Sequence, residues 1–394
     1  MKNLKVLISG AGIAGPALAY WLHRYGCTPT VVDIAPAPRG GVFAVDFRSA
    51  AHLTVLERMG ILDELRDLQT GGSPMSFVDE TGAELFRLPG ELAGGDLEIL
   101  RADLARVVFE RTRETTEYLW GETITALTET SGGVEVTFRG GSTRTFDLVV
   151  GADGMHSNVR RLAFGPESDF RTFLGYYFAS WKFPNYGDFG QTAVLYNVPG
   201  RAAAVSSQPH DPGYAGTLFV FASAELTYDR HDVVRQKEIL AEVYANMGWE
   251  VPNLIARLHQ AEDLYFDSIS RIDVDDWSRG RVVLLGDAGY GATVGGMGVG
   301  TAVVGAYVLA GELLRADGEH RAAFARYQAL LRDYVRECQR GGEGTGLFLA
   351  PKTAENLAAR NGLMATQAAS AEQVETAAER AADIVLPDYP AESS

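Results

Sequence analysis

The sequence predicts a mixed α/β fold in which parallel-stranded segments are interrupted by a mostly antiparallel β region and followed by a helical C-terminus. Three observations lead there. Residues 4–9 are a short apolar run, 10–15 a glycine-rich turn, 16–25 a helix and 28–34 a second apolar run, the order of a βαβ unit. A second apolar strand, 281–285, enters another glycine-rich turn far downstream. Between them, from about 173 to 223, aromatic and valine residues alternate with the turn pairs Pro199-Gly200 and Pro212-Gly213, the pattern of antiparallel sheet.

In chain order, the first helix closes at Gly26 and Asp33 falls at the end of the second strand. Residues 50–59 form a helix stopped by Gly60, and 77–86 a hairpin turning at Thr81-Gly82. Residues 102–113 are helical. Strands follow at 123–129, 134–139 and 146–150, the first two joined at Ser131-Gly132-Gly133. Ala- and Leu-rich helices cover most of 299–340 and much of 354–385.

With 394 residues, 46% of them hydrophobic and 22% charged, the chain can bury a large core without staples. Cys27 and Cys338 are too few for a disulfide framework or a cysteine metal site, and the seven histidines show no metal-ligand spacing. A net charge of −16 supplies no basic face for nucleic acid. The N-terminal residues run straight into a strand without a signal-peptide pattern, and no uninterrupted apolar run of about 18 residues predicts a membrane span. A cytoplasmic protein is expected.

Four constellations carry chemistry. In Gly10-Ala11-Gly12-Ile13-Ala14-Gly15 the first glycine permits the turn, Gly12 lets backbone approach a pyrophosphate, and Gly15 lets helix pack on strand. The unpaired N–H groups of that helix start meet phosphate, and a carboxylate at Asp33 accepts ribose hydroxyls. Gly151-Ala152-Asp153-Gly154 ends another strand; it suits a second approach to a ligand and equally an ordinary turn. Gly286-Asp287-Ala288 opens a run holding seven glycines between Gly286 and Gly300, a density that costs chain entropy and suits backbone wrapped around something flat and large. Asp287 is placed to hold polyol hydroxyls, and the helix beginning near Gly298 to point its positive end at a ligand. Leu100-Arg101-Ala102-Asp103-Leu104 starts a helix, where Arg101 also reads as a solvated first-turn charge.

Together and in this order, the motifs resemble those of the FAD-dependent aromatic hydroxylases, the single-component flavoprotein monooxygenases that include para-hydroxybenzoate hydroxylase and the tetracycline-inactivating enzymes; the match spans about residues 4–340. The resemblance implies a Rossmann-like FAD-binding domain with an inserted substrate domain. It implies that NADH or NADPH reduces the flavin, that O2 adds at C4a, and that the resulting hydroperoxide oxygenates an aromatic or polyketide-type small molecule. It places Gly10, Gly12, Ile13, Ala14, Gly15, Asp33, Arg39 and Arg101 on the FAD, Asp153 and Gly154 near both FAD and the nicotinamide, Gly286 and Asp287 at the ribityl–pyrophosphate region, and Gly298 and Val299 at the ring. The expected FAD-binding segments are 1–75, 98–170 and 273–340; 76–97 and 171–272 form the substrate domain, and 341–394 a C-terminal helical segment.

Candidate substrate residues are Asp46 and Arg48, which in the family lie near the flavin, Tyr177 and Trp181 of the β region, and His210, which also reads as a surface-loop histidine; Tyr177 and Trp181, with Tyr176, Phe183 and Tyr196, read either as a ligand wall or as core. One departure stands out. Where the family continues with Ala-His and a proline, this chain has Gly289-Tyr290 and no proline before Gly298. That departure leaves open an oxidase or dehydrogenase, or a cyclase whose FAD is redox-silent.

Overall fold

The computed structural model describes residues 1, 3–38, 40–41, 43–72, 74–90, 95–187, 189–190, 192–208, 211–295, 297–366 and 383–390. Two expected site residues, Arg39 and His210, lie outside the described residues, as does 367–382 of the expected C-terminal helix.

Among the described residues, six strands form a sheet in the order Ser278–Arg279, Val282–Leu284, Leu148–Gly151, Lys5–Ser9, Thr28–Asp33 and Glu117–Trp120. All neighbours are parallel except the first pair. Valine, leucine and isoleucine dominate the central strands because both faces are covered: Val6, Leu7, Ile8, Val149, Val283 and Leu284 are fully buried. Register sets where the chain leaves this sheet. Ser9 pairs with both Gly151 and Val32, and Gly151 pairs with Leu284, so four strands end at one level of one sheet edge. Gly10, Asp33, Ala152-Asp153 and Leu285-Gly286 emerge there side by side, and the carboxyl edge of a parallel sheet is where such folds bind ligands.

The second sheet runs Tyr265–Ile272, Arg171–Ser180, Asp211–Ala222, Arg201–Gln208, Ala193–Val198, Met75–Val78, Glu84–Leu88, with Lys182–Pro184 beside Asp211–Ala222. It is antiparallel except where Ala193–Val198 meets Met75–Val78. Strand periodicity sorts its side chains. Tyr177, Ala179, Trp181 and Phe219 pack under the helices Val233–Tyr244 and Val251–Leu258. Tyr176, Phe178, Val220 and Ile269 form the other face with Phe43, Val294 and Leu349.

The expected mixed α/β class therefore stands, with its parallel and antiparallel parts and helical C-terminal region. The expected strand 146–150 is two elements: Thr143–Phe146 joins a three-stranded meander and Leu148–Gly151 the parallel sheet. Asp147 makes the joint, its N–H bonding Lys5 O and its carboxylate accepting Lys5 N–H at 2.7 Å. The strands Ala44–Phe47, Leu97–Leu100 and Glu117–Trp120 were not expected; each is four residues long and without a clear period.

Helix Gly298–Arg315 is long and apolar enough to cross a membrane by length and composition, yet it packs between Ala14–Arg24 and His320–Glu343 with most of its residues buried, as a core helix does. Both cysteines are buried. Helix Ala354–Thr366 packs on Glu84–Leu88, and the Tyr389 hydroxyl returns to the buried Glu312 carboxylate at 2.8 Å.

Candidate cofactor and active site

The glycine turn is built around three different constraints. Gly10 sits at φ +110°, and a Cβ there would fall 2.3 Å from Ala152 O. A Cβ on Gly15 would fall 1.9 Å from Gly10 O. These two positions are closed by the protein itself. Gly12 differs: the nearest heavy atom to its Cβ position is an Arg101 guanidinium nitrogen at 3.8 Å, so its surface faces open space beneath a cation. Helix Ala14–Arg24 begins at Ile13 with no side-chain cap and no acid in its first turn, which leaves its N–H groups for an anion.

Asp33 braces the turn, accepting from Ala11 N–H and Ala35 N–H, both at 2.8 Å. Arg101 starts the helix Arg101–Glu110; its N–H bonds Phe43 O, its stem lies on Gly41 and its guanidinium reaches Gly40 O at 3.5 Å.

Asp287 follows the parallel strand Val282–Leu284, and its Oδ1 is inaccessible to solvent with no hydrogen-bond partner among the described residues. Burial pushes this carboxyl above the usual carboxylate range, while Arg101 pulls it back. A Cβ at Gly298 would lie 3.1 Å from the same oxygen, and one at Gly286 3.5 Å from the Cβ of Ala14. Gly12, Ala14, Arg101, Gly286, Asp287 and Gly298 thus surround one cradle.

The cradle's acids and glycines fit an extended dinucleotide whose polyol answers an orphaned carboxylate oxygen. Helix Gly298–Arg315 starts after Met297 at φ +52°, and no side chain caps its first N–H groups.

Asp153 is anchored from within the protein. Its carboxylate accepts from the Ser157 hydroxyl, from Asn158 N–H at 2.9 Å, Val159 N–H at 3.1 Å and Ser9 Oγ at 3.2 Å. Three of these donors fall on Oδ2 and one on Oδ1, so the half-buried carboxylate is anchored against the start of helix Asn158–Ala163, which Ser157 caps. Gly154, at φ +81° with open space around its Cβ position, is the part of that motif that presents backbone. Arg160, buried, bonds Ala288 O at 2.8 Å and Met155 O at 2.6 Å, tying this turn to the Asp287 turn. It was not anticipated.

Tyr177 and Trp181 are a correction. With 2% and 0% exposure they lie under the two helices on the far face of the large sheet. The face turned to the cradle carries Phe178 and Tyr265, whose rings meet Phe43 at 6.0 and 5.6 Å. Strand alternation separates Phe178 from Tyr177, but the sequence does not say which set faces the site. Asp287 and Arg101 both act electrostatically on the Tyr265 hydroxyl, which burial holds above its ordinary value, so this trio stands over the cradle.

Asp46 and Arg48 are half-buried and paired with each other, with Arg48 against Gly95. The Tyr290 side chain turns away from the cradle. It is 4% exposed, stacks near Trp277 at 4.4 Å and shares a 2.8 Å hydrogen bond with Tyr327. A Cβ at Gly305 would fall 2.4 Å from its hydroxyl, so the departure at 289–290 is accommodated inside the core.

A parallel sheet whose edge gathers a glycine turn, an orphaned acid and an uncapped helix, faced by an aromatic wall from a second sheet, defines a flavin-dependent oxidoreductase. The FAD binding domain family matches residues 3–345, and the chain belongs to that family. It is 35% identical over 347 residues to a flavin-dependent monooxygenase of Legionella longbeachae, covering 86% of this chain and 88% of that protein. Two crystal structures are similar: tetracycline destructase Tet(51), with a TM-score of 0.87, 31% identity and coverage of 99% and 100%, and Tet(55), with 0.84, 35%, and 99% and 100%. The protein is an FAD-dependent monooxygenase.

Proposed function

We propose that this monooxygenase uses NADH or NADPH as a transient reductant and inserts one oxygen atom of O2 into an aromatic or polyketide-type small molecule lying against Phe43, Phe178 and Tyr265. The observation that carries the reading is the juxtaposition of that apolar aromatic face with the Asp287–Gly298 end of the cradle. The tetracycline destructases support it, since a tetracycline is a fused-ring polyketide whose aromatic ring suits such a wall.

FAD, when bound, supplies the electron transfer and the oxygen chemistry. The chain supplies place and environment. Gly12 and the first-turn N–H groups from Ala14 onward receive the pyrophosphate beside Arg101. Asp33, at the end of the second parallel strand, meets the adenosine ribose. The partly exposed carboxylate of Asp287 accepts a ribityl hydroxyl. Gly154, Gly286, Gly298 and Val299 present backbone to the cofactor. Arg39 retains its expected role through the resemblance alone. Asp46 and Arg48 border the ring site through the neighbouring strand, and the aromatic trio keeps water from the reacting centre. The six-stranded sheet serves as the FAD-binding domain and the eight-stranded sheet as the substrate domain, in a cytoplasmic enzyme.

Anaerobic reduction tests the proposal. The bound flavin bleaches on addition of NADH or NADPH, faster in the presence of a phenol or polyketide substrate. A holoenzyme reduced by neither nicotinamide, whatever candidate substrate is present, contradicts it.

A further inference from the structure

We infer that His52 is a positioning residue for the flavin: its imidazole, keyed into the gap at Gly300, sets the first turn of helix Gly298–Arg315 against the cofactor. The inference rests on the proposal that this turn meets the flavin ring.

His52 lies in the first turn of helix Ala50–Arg58, capped by Ser49, and is fully buried. An ideal Cβ on Gly300 would fall 2.2, 2.4 and 2.7 Å from three atoms of its ring. No side chain fits there while the ring remains, and a helical glycine destabilises its helix relative to alanine. Ring and gap are therefore one feature. On the opposite side, the Gly298 Cβ position is 3.1 Å from Asp287 Oδ1, so the uncapped turn is held between the imidazole and the orphaned carboxylate.

The ring's orientation is specified by direction as well as shape. The Arg48 N–H donates to Nδ1 at 3.2 Å, which places the ring proton on Nε2, and Nε2–H donates to the Tyr334 hydroxyl at 2.7 Å. Tyr334 in turn bonds the Cys338 thiol. Burial pushes His52 down to about 4, so the ring is neutral near pH 7 and acts as a fixed dipole. A phenylalanine would fill the same volume without desolvating two nitrogens. The imidazole instead ties three elements together: the end of strand Ala44–Phe47 that carries Asp46 and Arg48, the first turn of the flavin-facing helix, and helix His320–Glu343. A shift of that first turn changes how the helix dipole stabilises negative charge on the bound ring.

The test uses holoenzyme of His52→Ala, His52→Gln, Gly300→Ala and the double variant, with sodium sulfite as probe, because its adduct with oxidised flavin leaves negative charge at the N1–C2 edge. Sulfite Kd, FAD Kd and the melting temperature of the apoprotein are measured for each. In His52→Ala sulfite binding weakens about tenfold, within the range of a displaced helix terminus, while FAD affinity changes less than about threefold. His52→Gln, whose terminal amide reaches the Tyr334 hydroxyl, recovers most of the loss. Gly300→Ala, which expels the ring, reproduces it, and the double variant adds nothing further. Sulfite affinity unchanged throughout, with only the melting temperature lowered, makes His52 a packing residue and overturns the inference. Parallel loss of FAD and sulfite binding overturns it too. If His52→Ala does not fold, His52→Gln and Gly300→Ala decide. None of these titrations needs nicotinamide or substrate, so they are independent of the proposed reaction.

Discussion

Gly12→Ala separates a glycine kept for the ligand from one kept for the fold. In the protein the new methyl meets only the Arg101 guanidinium at 3.8 Å, an ordinary contact, and the apoprotein changes by less than about 0.5 kcal/mol, or less than about 1 °C in melting temperature. The methyl instead occupies the space through which backbone approaches the pyrophosphate. Loss of one hydrogen bond to a charged group is worth about 1.5–3 kcal/mol, so FAD binding weakens roughly 10- to 150-fold. Gly15→Ala is the control with the opposite signature. Its Cβ would lie 1.9 Å from Gly10 O, a backbone atom that cannot turn aside. Overpacking of this kind costs about 1–3 kcal/mol and lowers the apoprotein melting temperature by roughly 1–4 °C. Fluorescence titration of apoprotein with FAD and thermal melts without it measure both effects. Gly12→Ala protein that binds FAD with unchanged affinity, or that melts as low as Gly15→Ala, refutes the assignment of Gly12 to the ligand.

Asp287→Asn removes a buried, unpartnered carboxylate; the apoprotein melts no lower than the parent near neutral pH, while FAD affinity falls about tenfold or more, as titration of the two forms shows. Tyr290→Phe loses the hydrogen bond to Tyr327 and costs about 1 kcal/mol of stability, with turnover unchanged because the hydroxyl faces the core. Two histidines give opposite pH signatures. His52, held down to about 4 from an ordinary 6.5, contributes stability at neutral pH that is lost as pH falls through that window, up to about 3 kcal/mol. Burial opposes charge on His156, but Asp267 and Glu167, at 3.1 and 3.0 Å, outweigh it and raise the imidazole to about 9. Its contribution is present below about 6.5 and disappears as pH rises through about 9. Chemical denaturation of His52→Phe and His156→Asn across pH 4–10 flattens the respective limbs.

Much of this architecture was legible because a few residues are held by chemistry that leaves few options. Gly10 and Gly15 mark a turn that only glycine fits, and Asp33 and Asp287 end apolar strands, so the parallel sheet and its ligand edge can be read directly. What the sequence does not carry is direction. Tyr176, Tyr177, Phe178 and Trp181 announce a strand, but choosing the face toward the cradle requires knowing where two helices well downstream dock. The four internal donors of Asp153 become visible only in the fold. His52 is one of seven histidines, and its partners Gly300 and Tyr334 lie far along the chain. Tyr290 suggested altered flavin chemistry, whereas Gly305 and Tyr327 absorb it in the core.

Single turnover of the reduced holoenzyme with isotopically heavy O2 and a tetracycline or simpler aromatic polyketide tests the central claim most directly. Mass spectrometry of the product shows one heavy oxygen atom incorporated per flavin reoxidised if the account is right. Product carrying only oxygen from water, or flavin reoxidation that yields hydrogen peroxide and leaves every polyketide and phenol unaltered, contradicts it.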